Sequence, residues 1–203
     1  MKHIFSKKTD AELLTRYAQG DEAAFREIVS RYKNGLYTFL KRFLNHHDLI
    51  EDVFQETFLQ LFTSRESFDK SRPLRPWLFT IAANKAKDAL RKQQRKAAIS
   101  IGPVADSQEM SFDELFNTLI SDSTVPYDYL EKDETAGQVR QVIADMPENL
   151  REILILAYFN RFSYKQIADI LGIPIGTVKS RLHTAVGRFA KDWKTAVRSK
   201  DSR

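Results

Sequence analysis

No cysteine occurs anywhere in the 203 residues. Disulfide staples and thiolate metal sites are therefore excluded, and a reducing compartment fits. No apolar run approaches the ~18 residues a membrane span needs. The N-terminal MKHIFSKKTD has no apolar core of signal-peptide length. The expectation is a soluble, cytoplasmic protein. Glycine and proline number only seven and six, the usage of a folded chain, and no glycine-rich loop is present to cradle a phosphate. Hairpin signals and alternating strands are missing as well, which leaves an all-α fold. Histidine is scarce: His46 and His47 are neighbours, while His3 and His183 lie far from them. That spacing gives no metal site, and no cofactor is expected. The carboxylate pairs Glu51/Asp52 and Asp113/Glu114 are adjacent, so on a helix their side chains diverge. No Ser–His–Asp arrangement has supporting context. An enzymatic role is not expected.

Charge is present, and its arrangement says more than the modest net +5 and pI near 9.3. Residues 1–96 hold 19 Lys and Arg against 12 Asp and Glu, net +7. Residues 97–134 hold one against nine, net −8, and residues 135–203 hold 12 against six, net +6. Two basic blocks thus flank an acidic one. The acidic block contains Gly102, Pro103 and Pro126 and little sustained helical period apart from a short piece at 111–120. It reads as a linker over 98–133 between domains at 1–97 and 134–203. Phe112, Leu115, Phe116, Leu119, Tyr127 and Tyr129 are too apolar for a Gly/Ser tether. Two alternatives stay open: an extended segment that docks on another surface, or a disordered acidic spacer.

The first block is helical throughout. A helix begins after Thr9 or Asp10 and ends at Gly20. The next carries Phe25, Ile28, Val29, Tyr32, Leu36, Phe39, Leu40 and Phe43 at three-and-four spacing. DLIEDVFQETFLQLF (48–62) sets Leu49, Val53, Phe54, Phe58, Leu61 and Phe62 against an acidic and amide-rich face. In 65–96, Pro73 and Pro76 are expected to keep the start out of helix, which then runs from about Trp77. Leu78, Ile81, Ala82, Ala86 and Leu90 form its inner stripe.

Residues 163–183, SYKQIADILGIPIGTVKSRLH, read as two short helices joined at a sharp turn. Ser163 and Gln166 form a capping box. Gly172 ends the first helix, and Pro174 stands at the start of the second. Val178 and Leu182 point to a core, so Lys179, Ser180, Arg181 and His183 can line an outward face suited to a DNA major groove. The same pattern fits an ordinary helical hairpin with a solvated basic face.

Two long, well-separated segments carry a family resemblance. One is DLIEDVFQETFLQLF (48–62) with RPWLFTIAANKAKDALRK (75–92). The other is MPENLREILILAYFNRFSYKQIADILGIPIGTVKSRLH (146–183). In this order the chain resembles the extracytoplasmic-function (ECF) sigma factors of the sigma-70 family. The resemblance implies two helical domains and a role as a dissociable subunit of bacterial RNA polymerase. The second domain would read the −35 promoter element through Thr177, Lys179, Ser180, Arg181, His183 and Arg188. The first would hold the melted −10 strand through Phe68, Lys70, Arg72, Arg75, Trp77, Asn84, Lys87, Asp88 and Arg91. Bases held outside the stack need aromatic or apolar pockets beside a cationic track, although Trp77 and Phe79 also read as core. Asp52, Gln55, Glu56 and Leu59 would dock on the β′ coiled coil of core RNA polymerase. The implied partners are core polymerase (β′ coiled coil and β flap), promoter DNA and an anti-sigma factor. One departure stands out: relatives often read HRAR where this chain has HTAVGR, so Thr184 and Val186 replace basic residues. A stand-alone helix-turn-helix regulator is the competing reading, and it would need neither the first domain nor the 48–62 face.

Overall fold

Thr9 opens the first helix, α1 (Asp10–Ala18), with a capping box in which Glu12 answers the Thr9 N–H at 2.7 Å. Gly20, at φ 91°, supplies the left-handed turn that Asp21 then caps into α2 (Glu22–Phe43). Next come α3 (His47–Thr63) and α4 (Leu74–Ala98), then α5 (Glu134–Ala144), α6 (Glu148–Leu154), a π-helical turn (Ile155–Phe159), α7 (Tyr164–Leu171) and α8 (Ile175–Asp201). This computed structural model describes residues 5, 7–44, 46–64, 68, 69, 71–98 and 134–201, and they contain helices and turns without strands. The acidic linker and its possible helix at 111–120 lie outside the described residues, as does Lys70. No helix among the described residues is long and apolar enough to cross a membrane.

The three-and-four spacing of the first block becomes one core. Phe25, Phe39, Phe43, Phe58 and Phe79 are fully buried where α2, α3 and α4 meet, beside Leu13, Leu14 and Tyr17 of α1. Tyr17 stacks on Phe25 at 4.8 Å, and Phe54 meets Phe58 edge-on at 5.2 Å. Each such ring contributes roughly 1.5–3 kcal/mol of burial. The expected start of α4 needs correcting. The helix begins at Leu74, not Trp77, with Pro76 inside its first turn. The first-turn N–H groups have no intrahelical acceptor, so a proline there loses nothing.

The second module closes around Ile143, Ile153, Leu156, Ile167, Ile170, Val178, Leu182 and Ala185. Arg151, itself buried, donates from Nη1 to the Ala144 carbonyl at 2.7 Å and so ties α6 to the end of α5. After α6 the helix widens by one residue. Asn160 N–H reaches the Ile155 carbonyl at 3.1 Å, and Arg161 turns the chain at φ 55°.

Candidate nucleic-acid interface

Ser163 and Gln166 bond reciprocally, the Ser163 N–H to Gln166 Oε1 at 2.9 Å and the Gln166 N–H to Ser163 Oγ at 3.3 Å. Gly172, at φ 63°, ends α7 in the left-handed conformation that a side chain resists. Within α8, Val178, Leu182 and Ala185 are buried at four- and three-residue spacing. That buried stripe turns Lys179, Ser180, His183 and Arg188 out to solvent and leaves Thr177 and Arg181 half-buried. Ser180 Oγ donates to the Thr177 carbonyl at 3.2 Å. Its proton is therefore engaged, which leaves the hydroxyl oxygen free to accept. Arg188 Nε is held by Asp192 at 2.6 Å. The helix does not stop after the motif but continues through Gly187 to Asp201.

Val186 is one of the two positions, with Thr184, where this chain departs from HRAR. It lines an apolar hollow of about 270 Å³ with Val139, Ile143, Leu154, Tyr158, Phe159 and Phe189. Tyr158 in this hollow is 61% exposed. A cation at 186 would border an apolar surface, not a phosphate track.

On the first module, a cleft of about 510 Å³ lies between the end of α3, the following loop and α4. The size is that of small-molecule clefts. Phe68, Arg72, Trp77 and Asn84, all expected site residues, line it with Gln60, Ser64, Asp69, Ile81 and Lys85. Phe68 is buried against the Trp77 ring, 4.6 Å between centroids, so it forms a wall, while Trp77 stays partly exposed. Asp69 shapes the loop by accepting from Ser71 N–H at 3.0 Å and Ser71 Oγ–H at 2.7 Å. Those hydrogen bonds hold its carboxyl below the usual carboxylate range. Ile81 and Lys85 were absent from the expected site, although Trp77, Ile81 and Asn84 at i, i+4 and i+7 mark a single helical face.

The other expected −10 residues divide. Asp88 and Arg91 are exposed further along α4 and pair at 3.1 Å. Arg75 and Lys87 turn to the opposite side, toward the second module. Lys87 Nζ lies 3.1 Å from Glu152 Oε1, and Arg75 Nη2 donates to the Asn160 carbonyl at 2.6 Å. Phe79 is core, at 1% exposure.

Asp52, Gln55, Glu56 and Leu59 fall at i, i+3, i+4 and i+7 on α3, a continuous stripe on the side away from the buried Val53, Thr57, Phe58 and Leu61. Glu56 Oε2 takes an ion pair from Lys85 at 2.9 Å. The stripe therefore borders the α4 cleft.

Residues 28–96 match the Sigma-70 region 2 family and residues 136–188 the Sigma-70 region 4 family. The ECF RNA polymerase sigma factor SigW of Bacillus subtilis strain 168 is 32% identical over 165 residues, 81% of this chain and 86% of that protein. The ECF RNA polymerase sigma-E factor of Haemophilus influenzae is 34% identical over 177 residues, 87% of this chain and 91% of that protein. Among solved structures, the sigma factor RpoE of Bartonella quintana, in complex with the anti-sigma factor NepR, superposes with a TM-score of 0.62. It shares 26% identity over 84% of this chain and 96% of that one. With the relatives aligned over most of both chains, and with the two matched regions falling on the cleft module and the helix-turn-helix module, this protein belongs to the ECF RNA polymerase sigma factors.

Proposed function

We propose that this chain directs core RNA polymerase to promoters by reading the −35 element with α8 and holding the melted −10 strand in the α4 cleft. The observation that carries this reading is a separation of faces within one chain. Exposed donors sit on α8, an aromatic-walled cleft with Arg72 and Asn84 sits on α4, and the acidic α3 stripe runs along the rim of that cleft, meeting it through the Glu56–Lys85 pair. Lys179 and Arg181 suit guanine O6/N7 or phosphate, and Ser180 presents acceptors. Thr177 and Arg188 take the backbone and His183 a base edge or phosphate. In the cleft, a base turned out of the stack meets the Trp77 face, with Asn84 and Arg72 as donors. Asp88 and Arg91 continue the track along α4. Lys70, Arg75 and Lys87 join them as backbone cations, the last two only once freed from the second module.

Asp52, Gln55, Glu56 and Leu59 dock on the β′ coiled coil. Carboxylates repel phosphate, so this stripe suits a protein partner. The apolar hollow around Tyr158 and Val186 takes the β flap. An anti-sigma factor is a further partner, consistent with the complex in which the Bartonella relative was solved. The phosphodiester chemistry belongs to the polymerase. A stand-alone regulator would leave both the α3 stripe and the cleft without a task. The test is run-off transcription with core polymerase over a genomic library, with sequencing of the start sites. Defined starts support the assignment. A chain that binds duplex DNA unaided but neither associates with core polymerase nor produces defined starts refutes it.

A further inference from the structure

A hollow of about 520 Å³ opens between the end of α2, the start of α3 and α5. It is separate from the α4 cleft and shares only Ile143 with the hollow beside Val186. It holds none of the residues assigned above to promoter DNA or to the β′ coiled coil. Its walls are cationic. Lys41 and Arg42 come from the last turn of α2, His47 from the first turn of α3 and Arg140 from α5. Gln141 adds an amide, and no carboxylate among the described residues lines the hollow. The carboxylates that meet these side chains are already engaged. Glu51, 3.8 Å from His47, accepts from Tyr37 Oη at 2.9 Å, and Asp145 accepts from Gln141 Nε2 at 3.0 Å. The buried part of the lining is apolar: Leu44, Ile50 and Ile143.

Three features of this hollow point to an anion. First, Arg42 is half-buried beside another guanidinium. Burial lowers Arg42, and the like charge of Arg140 lowers it further. Arg42 lies over the Phe159 ring at 4.2 Å, and its N–H donors have no acceptor among the described residues. Second, Arg151 is buried at the Ala144 end of the wall. It donates from Nη1 to the Ala144 carbonyl, yet its Nε has no hydrogen-bond partner among the described residues. It adds a further positive charge behind the lining. Third, Gly137 lies within α5 and lines the hollow, where a Cβ would meet nothing within 4 Å. Packing does not require a glycine there, and glycine weakens a helix relative to alanine. A bare stretch of backbone in a cationic wall suits close approach by a ligand.

Guanidinium forks match phosphate oxygens two at a time. A single inorganic phosphate would leave most of the hollow empty, and the volume falls within the range of small-molecule clefts. The apolar lining gives an uncharged body a place beside the charged groups. A duplex backbone is convex and needs an open track, which a hollow between helices does not offer. We propose that this hollow binds a nucleotide, a small molecule carrying a di- or triphosphate. Its phosphates lie on Arg42, Arg140, Lys41 and His47, and its base and sugar lie over Leu44, Ile50 and Ile143. The ligand thereby touches α2 and α3 of the first module and α5 of the second. The site does not depend on the promoter-reading assignment.

The test uses the full chain with ATP as the probe, without divalent cation, at about 0.15 M salt so that distant surface charges are screened. Isothermal titration calorimetry should show saturable binding at one site. Tripolyphosphate should compete more weakly than ATP, and adenosine should not compete measurably. Arg42→Gln and Gly137→Glu should each weaken ATP binding about tenfold or more, one through a lost charged contact and the other through an added like charge. Gly137 has open space for a side chain, so Gly137→Glu perturbs the site and not the packing. Lys191→Gln, at an exposed position on α8, makes the same charge change as Arg42→Gln and should keep parental affinity. In the parent chain, amide shifts induced by ATP in two-dimensional NMR should centre on residues 41–50 and 137–144. Absence of saturable ATP binding overturns the proposal. So does parental affinity in both site variants, or a loss in Lys191→Gln equal to theirs. Shifts centred on α8 or on the α4 cleft overturn it too, because ATP would then only imitate a nucleic-acid backbone. Adenosine binding as tightly as ATP would remove the role of the phosphates, and tripolyphosphate binding as tightly would replace the nucleotide by an inorganic polyphosphate; either overturns the assignment. Should a variant lose helicity by circular dichroism, the other variant and the NMR map of the parent decide.

Discussion

Arg181 and Glu152 show how much a single residue's surroundings decide. Arg181 is half-buried on α8, whereas its neighbour Lys179 is exposed. Arg181→Ala is expected to weaken transcription in a sequence-dependent way, by about 1–3 kcal/mol at promoters carrying the preferred −35 base. Competition transcription across a −35 library checks this, and equal loss on scrambled elements would remove Arg181 from base reading. Glu152 has a raised carboxyl, chiefly through burial, from an ordinary value of 4.5. Its folded form thus holds the proton more tightly than the unfolded chain does. The resulting stabilisation is fully present below the unfolded value and is lost as pH rises through the folded one. Against Glu152→Gln, the parent chain should therefore gain relative stability as pH falls from 7 toward 4.5, measured by urea melts along the pH series. A relative loss over that range would contradict the assigned sign.

At the scale of elements, caps and glycines set where the helices begin and end. Ser163→Ala removes the acceptor that holds the Gln166 N–H at 3.3 Å. It should cost about 1 kcal/mol of stability in chemical denaturation. Gly187 lies inside the continuous α8, and an added Cβ there would meet nothing within 4 Å. Gly187→Ala should accordingly stabilise the chain by roughly 0.5–1 kcal/mol, read as a rise in the denaturation midpoint. No gain would mean that α8 frays before residue 187. The α3 stripe makes a separate prediction. Asp52→Ala and Leu59→Ala together should reduce association with core polymerase by several-fold in a pull-down titration, while binding of a single-stranded −10 oligonucleotide is unchanged. Loss of both together would place the stripe in the DNA interface.

For the molecule as a whole, charge is organised by block and function by face. Backbone cations away from base edges should act on every promoter alike. Lys92, exposed on α4 beyond the cleft, is such a position. Lys92→Ala should lower the slope of log affinity against log salt by about 1 with no change in promoter preference. A changed preference would make it a base reader. The basic blocks and the acidic block between them were fully legible in the chain, as were the capping box at Ser163, the Gly172 turn and the buried stripe of α8. These depend on neighbours within a few residues. The start of α4 was misread because Pro76 was given its helix-interior effect, which vanishes in the first turn, where no N–H acceptor is lost.

The sequence by itself determined the all-α class, the two helical blocks, the outward donors of α8 and the stripe of α3. Helical periodicity converts spacing directly into faces, and capping is a matter of three or four residues. Only the tertiary structure decided which residues of α4 share a face. It set Trp77, Asn84 and the unforeseen Ile81 and Lys85 around the cleft and turned Arg75 and Lys87 to the other side. It also buried Glu152 and set Phe162 between Arg75 and Phe79. Such pairings join residues 65 and more positions apart. No local period encodes them, because they arise only when separate apolar faces meet and exclude water together.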